Sequence, residues 1–125
     1  MSEPDRTRLV LDHIEQALDD IATLVLGLDE TGFRADRHRR LAVERCIEII
    51  SEASRRLPDD LKADHPDIPW RAIAGIGNVL RHDYDDIIPN VIWQAATREV
   101  VPLRAAITAM RQRLQSARSP APPLQ

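Results

Sequence analysis

Apolar positions recur along this chain with the period of a helix. Within residues 5–27, Leu11, Ile14, Leu18, Ile21 and Val25 alternate spacings of three and four, and Leu28 continues the series. Such a narrow stripe suits a bundle core or a coiled-coil seam. Asp5, after Pro4, is the expected N-cap and Gly27 the expected stop signal. Residues 28–35, with Gly32 and Phe33, read as a connector. A second helix is expected after Asp36, running to Leu57, where Pro58 forbids continuation. Its apolar face comprises Val43, Cys46, Ile47, Ile50, Ala53 and Leu57. The opposite face carries Arg37, Arg40, Arg45 and Arg55 beside Glu44, Glu48 and Glu52.

Pro58, Asp59 and Asp60 open a short helical turn expected to end at Ala63, followed by the rigid loop 65–69 with its two prolines. The third long helix is expected over 69–81, with Ile73, Ile76 and Leu80 on one face. It contains Gly75 and Gly77, each costing about 1 kcal/mol against alanine in a helix interior. After Pro89 a last helical region extends to about Ser116, carrying Ile92, Ala96, Val100, Leu103, Ile107, Met110 and Leu114, with a bend before Pro102. No segment alternates as a strand does, and no internal repeat is present. The expected fold class is all-α, an antiparallel helical bundle. One domain is expected over residues 1–116, with a disordered proline-rich tail at 117–125.

Composition narrows the functional classes. The chain has 125 residues, is 43% hydrophobic and 30% charged, and is long enough to fold without a disulfide or metal. Its single cysteine, Cys46, excludes an internal disulfide and a cysteine-built zinc site. No apolar run approaches a membrane span, and the first residues do not read as a signal peptide, so a cytoplasmic location is expected. A net charge of −3 argues against coating nucleic acid by bulk charge. Of the basic residues, Lys62 alone is lysine, and the arginines offer planar forks suited to phosphate and carboxylate. Four aromatic residues are too few for a base-stacking platform.

The chemistry concentrates at residues 75–86. There His82 has Arg81, Tyr84, Asp83, Asp85 and Asp86 for company, whereas His13, His38 and His65 lie in ordinary polar surroundings. The three aspartates with His82 are metal-ligand types, but their spacing is unspecific and no second histidine falls at i+4, so neither a metal nor another cofactor is expected. No phosphate-cradling glycine loop and no serine or cysteine nucleophile arrangement is present. General acid–base chemistry by His82, helped by a nearby arginine, is the chemical option that remains. A plain interaction module is the non-catalytic one.

Residues 68–84 (IPWRAIAGIGNVLRHDY) resemble the signature of HepT-like toxins, small all-helical proteins of the HEPN ribonuclease superfamily. Residues 42–53 resemble that family's second helix, and Val91-Ile-Trp-Gln with Val101-Pro-Leu fits its last helical region. The resemblance implies a homodimer whose two motif regions meet in a composite cleft. It also implies metal-independent cleavage of RNA and silencing by an MNT-type nucleotidyltransferase antitoxin, which attaches AMP to the motif tyrosine. That motif is arginine, four residues, histidine, one residue, tyrosine. By position the histidine is His82, the tyrosine Tyr84, and the polar residue after the arginine is Asn78. The arginine position itself holds Gly77.

Metal-free RNA cleavage needs a base for the 2′-hydroxyl proton, an acid for the leaving oxygen and a cation for the charge on phosphorus. Gly77 removes the cation that the motif supplies. Arg81, about 40° round the helix from position 77, and Arg71 are the sequence-level replacements. The competing reading is a catalytically inactive protein that binds a nucleotidyltransferase partner or RNA.

Overall fold

The structure, a computed structural model, describes residues 1–82 and 87–118, without the side chains of Arg81, His82, Ile87, Ile88 and Arg118. Among the described residues there is no strand. The elements are α1 (Glu3–Val25), α2 (Glu30–Ala35), α3 (Arg37–Arg55), α4 (Asp59–Ala63), α5 (Trp70–His82), α6 (Ile87–Gln94) and α7 (Leu103–Arg118). A π-helical turn, Ala95–Glu99, joins α6 to the approach of α7. The all-α class is as expected.

α1 begins earlier than the sequence pattern suggests. The cap is Ser2, whose hydroxyl accepts from the Asp5 backbone N–H while the Asp5 carboxylate accepts from the Ser2 N–H. This reciprocal pair is a capping box, and it places Pro4 in the first turn, where its missing N–H costs nothing. Asp5 is therefore the third helical residue rather than the cap. The far end stops as expected at Gly27, at φ +77°. Arg39 Nη1, from α3, donates to the Leu24 carbonyl at 2.9 Å, satisfying one of the orphan acceptors there.

The expected connector contains a helix. Asp29 caps α2 through a 2.7 Å bond from the Gly32 N–H, and the helix buries Phe33 completely. Phe33 meets the Trp93 ring at 5.2 Å between centroids and 43° between planes. A single buried ring makes this short segment part of the core, a role that periodicity does not reveal over six residues.

α3 is capped by Asp36 as expected and lies against α1, α2, α5 and α6. Val43, Cys46, Ile47, Ile50, Ala53 and Leu57 are all buried, as is the α1 stripe of Leu11, Ile14, Leu18 and Ile21. The α1 stripe is thus core within one chain. α4 forms at the expected place, and the Trp70 indole N–H ties the start of α5 to the carbonyls of His65 (3.0 Å) and Lys62 (3.2 Å). α7 runs antiparallel to α1. Arg104 pairs with Asp19 at 2.9 Å, Arg111 with Asp12 at 2.7 Å, and Arg8 donates to the Leu114 carbonyl.

The final region starts at Ile87, ahead of Pro89, which sits in the first turn of α6 where proline is tolerated. The bend before Pro102 is present. Its cause is the π turn, in which the Val100 N–H bonds to the Ala95 carbonyl at 3.0 Å, five residues back. α7 ends at Arg118, and the proline-rich segment 119–125 lies outside the described residues. No described helix is long and apolar enough to cross a membrane.

Candidate active site

The motif segment is the second half of α5, and its setting is fixed by α3. Arg55 reaches Ala74, while Ser51 reaches both Ala74 and Gly77, so the two helices run in opposite senses. The Ser51 hydroxyl donates to the Ala74 carbonyl at 2.9 Å and accepts from the Gly77 N–H at 3.3 Å. Ser51 is buried at 2% exposure. A buried hydroxyl with both its donor and acceptor roles filled is a specific clamp between two helices.

Gly77 is itself buried at this seam. Its lack of a side chain therefore has a packing consequence, which its low helix propensity alone does not convey: α3 approaches the α5 backbone here through Ser51. Asn78 and Val79, the next residues, are exposed. Arg81 and His82 complete α5, one turn and five residues beyond Gly77, and their side chains are not among those described. Tyr84, with Asp83, Asp85 and Asp86, lies outside the described residues. Arg71 is exposed in the first turn of α5, six residues before Gly77 and so about 120° away round the helix. The fold does not align it with position 77.

The polar face expected on α3 is divided in the structure. Arg45 pairs with Glu48 at 3.4 Å in the solvent-facing manner expected. Arg55 instead lies on α5, donating through Nη2 to the Ala74 carbonyl while Nη1 pairs with Glu52 at 3.3 Å. Glu44 is half-buried, and burial, with the Glu48 carboxylate, pushes its carboxyl above the usual range against the opposing pull of Arg40. The sequence pattern marks Arg55 only as a surface charge and does not mark Ser51 at all. Their signal is the spacing 44, 47, 51, 55, which puts them on one side of α3 with the core residue Ile47. Burial also pushes the Cys46 thiol up, with Asp20 adding to the effect, which makes it an inert packing residue. Among the described residues no cluster of three or more His, Cys, Asp or Glu side chains is arranged for a metal ion.

The structure is thus an all-helical bundle whose fifth helix exposes Asn78 and ends at His82. Comparison with known proteins narrows this. The model of the family described as "Ribonuclease HepT-like" matches residues 14–110. A protein of Thermococcus cleftensis named "Probable ribonuclease HepT" is 31% identical over 102 residues, covering 82% of this chain and 93% of that protein. A candidate RNase of Methanocaldococcus jannaschii is 30% identical over 107 residues, 86% of this chain and 97% of its own length. Another, from Caldanaerobacter subterraneus subsp. tengcongensis, is 30% identical over 106 residues, 85% and 95% respectively. No solved structure matches significantly. The chain belongs to the HepT-like ribonuclease family.

Proposed function

We propose that this protein is the toxin of a toxin–antitoxin pair, a metal-independent endoribonuclease acting in the cytoplasm as a homodimer. The observation that carries this reading is the family match over residues 14–110 together with the intact His82-Asp83-Tyr84 sequence. In the proposed reaction His82 takes the proton of an RNA 2′-hydroxyl. The freed oxygen attacks the adjacent phosphorus, the bond to the 5′-oxygen breaks, and that oxygen receives a proton. The products are a 2′,3′-cyclic phosphate and a 5′-hydroxyl. Two copies of His82, one from each protomer, would divide the base and acid roles, and Asn78 would orient the phosphate.

Gly77 slows this reaction. Losing one preorganised donor to a developing oxyanion costs about 10²–10³-fold, the motif arginine is such a donor, and a cation from elsewhere in the fold would recover part of that loss. An MNT-type nucleotidyltransferase partner silences the remaining activity by transferring AMP from ATP to Tyr84: the phenol oxygen loses its proton and bonds to the α-phosphorus as the bond to pyrophosphate breaks. The added phosphate places negative charge beside the RNA path.

A second reading is favoured by one observation. Gly77 is buried against Ser51, which suits a protein that has given up catalysis and retains only partner or RNA binding. The deciding experiment compares the native protein and His82→Ala on RNA in chelator, under single-turnover conditions with excess protein. Cleavage by the native protein that leaves cyclic phosphate ends, and its loss in His82→Ala, supports the ribonuclease. Equal, background-level rates for both support the binding protein.

A further inference from the structure

Resting on that ribonuclease reading, the seam between α3 and α5 bears on the missing cation. Helical side chains lean toward the N-terminus of their own helix, so a side chain at position 77 covers the turn at Ile73 and Ala74. In this protein that patch is occupied from outside. The Arg55 guanidinium of α3 is bonded to the Ala74 carbonyl, and Ser51 links the same carbonyl to the Gly77 N–H. Arg55 is held in place by Glu52 and is still 41% exposed. Two of its five N–H donors are committed to Ala74 and Glu52, which leaves donors for a further acceptor.

We propose that Arg55 supplies, from α3, the guanidinium that the motif would place at residue 77, and that it binds the phosphate of the RNA undergoing cleavage. Two features make a positive charge from α3 a chemically sound substitute. Arginine is charged at any working pH, so the site needs no tuning. Its fork can bond a carbonyl with one nitrogen and present another to a phosphate oxygen. Glu52 would be the competing anion, displaced in part when the phosphate arrives. Arg71 lies too far round α5 to share the patch.

The alternative is that Arg55 merely clamps α3 to α5, and the test is built to separate charge from clamping. Single-turnover RNA cleavage in chelator is measured for the native protein, Arg55→Gln, Arg55→Lys, Gly77→Arg and the double variant Gly77→Arg/Arg55→Gln, with His82→Ala as the blank. Glutamine keeps a polar amide but carries no charge and ends two bonds short of the arginine Nη2, and melting curves report what the lost clamp costs. The expected result is a loss of about 10²-fold in Arg55→Gln, with partial retention in Arg55→Lys. In the Gly77→Arg background the same change costs less than about threefold, because the motif guanidinium then serves the phosphate.

An unchanged rate in Arg55→Gln overturns the inference, as does an equal loss in both backgrounds, which marks a clamp. A native protein no faster than the blank beside an active Gly77→Arg overturns it too, and marks the native protein as a binding protein built on an intact ribonuclease scaffold. Silence from both the native and the Gly77→Arg proteins removes that reading and this inference together.

Discussion

Replacing Ser51 by alanine tests how firmly α3 holds the motif helix. The substitution removes one hydroxyl that donates to Ala74 at 2.9 Å and accepts from Gly77 at 3.3 Å, in a site only 2% exposed. Each such bond contributes about 0.5–1.5 kcal/mol net, so the two together bound the loss at about 1–3 kcal/mol. The lower end of that range applies. Ala74 keeps its Arg55 donor, and both backbone groups belong to α5, so neither is left wholly unsatisfied. The small void adds little, since only one oxygen atom is removed. The expected cost is therefore about 1–1.5 kcal/mol, or about 3–7 °C in melting temperature for a chain of this size. Urea denaturation followed by circular dichroism measures it directly, with a surface control such as Thr108→Ala, whose hydroxyl bonds only within its own helix. A loss below about 0.5 kcal/mol would refute the reasoning, since it would mean the hydroxyl bonds no better to α5 than to water.

Phe33→Ala is expected to destabilise the fold by about 3–5 kcal/mol, because the ring is fully buried against Trp93 and anchors α2; equilibrium unfolding checks this, and a cost under 1.5 kcal/mol would show that α2 is not part of the core. Glu44→Gln tests the raised carboxyl of α3. A folded-state value above the ordinary one means the fold disfavours the ionised form, so this group's stabilising contribution is full below pH 4.5 and is lost as pH rises through the folded value. The glutamine variant should therefore melt higher than the native protein at pH 7, and the gap should close by about pH 4; a lower melting point at pH 7 would mean that the Arg40 attraction outweighs burial.

What the sequence revealed and what it hid follow from the range over which each signal acts. The α1 and α3 stripes, the α4 turn, Gly27 and the break before Pro102 are local features, set by periodicity or by glycine and proline geometry, and each is found where expected. The cap at Ser2 is hidden because Asp5 has the better sequence position after Pro4, while the structure uses both residues in one reciprocal pair. α2 is hidden in the sequence because six residues are too few to show a period, and its Phe33 packs on the distant Trp93. Among the candidate site residues, His82 and Asn78 are proposed from the motif, and the structure places both in α5. The roles of Ser51 and Arg55 depend on which side of α3 meets α5, information that no single helix contains. Reading α3 as an apolar face and a charged face placed Arg55 in solvent; the structure places its guanidinium on the backbone one turn before Gly77.

The chain belongs to the HepT-like ribonuclease family, and the central proposal is that its cleavage is slowed by the absence of a side-chain cation at position 77. Its most direct test is the single-turnover rate of RNA cleavage in chelator by Gly77→Arg relative to the native protein, with Gly77→Arg/His82→Ala as control. The account predicts a gain of at least about tenfold in Gly77→Arg, abolished by the His82 change. A Gly77→Arg protein that folds and binds RNA but cuts no faster than the His82→Ala control would contradict it.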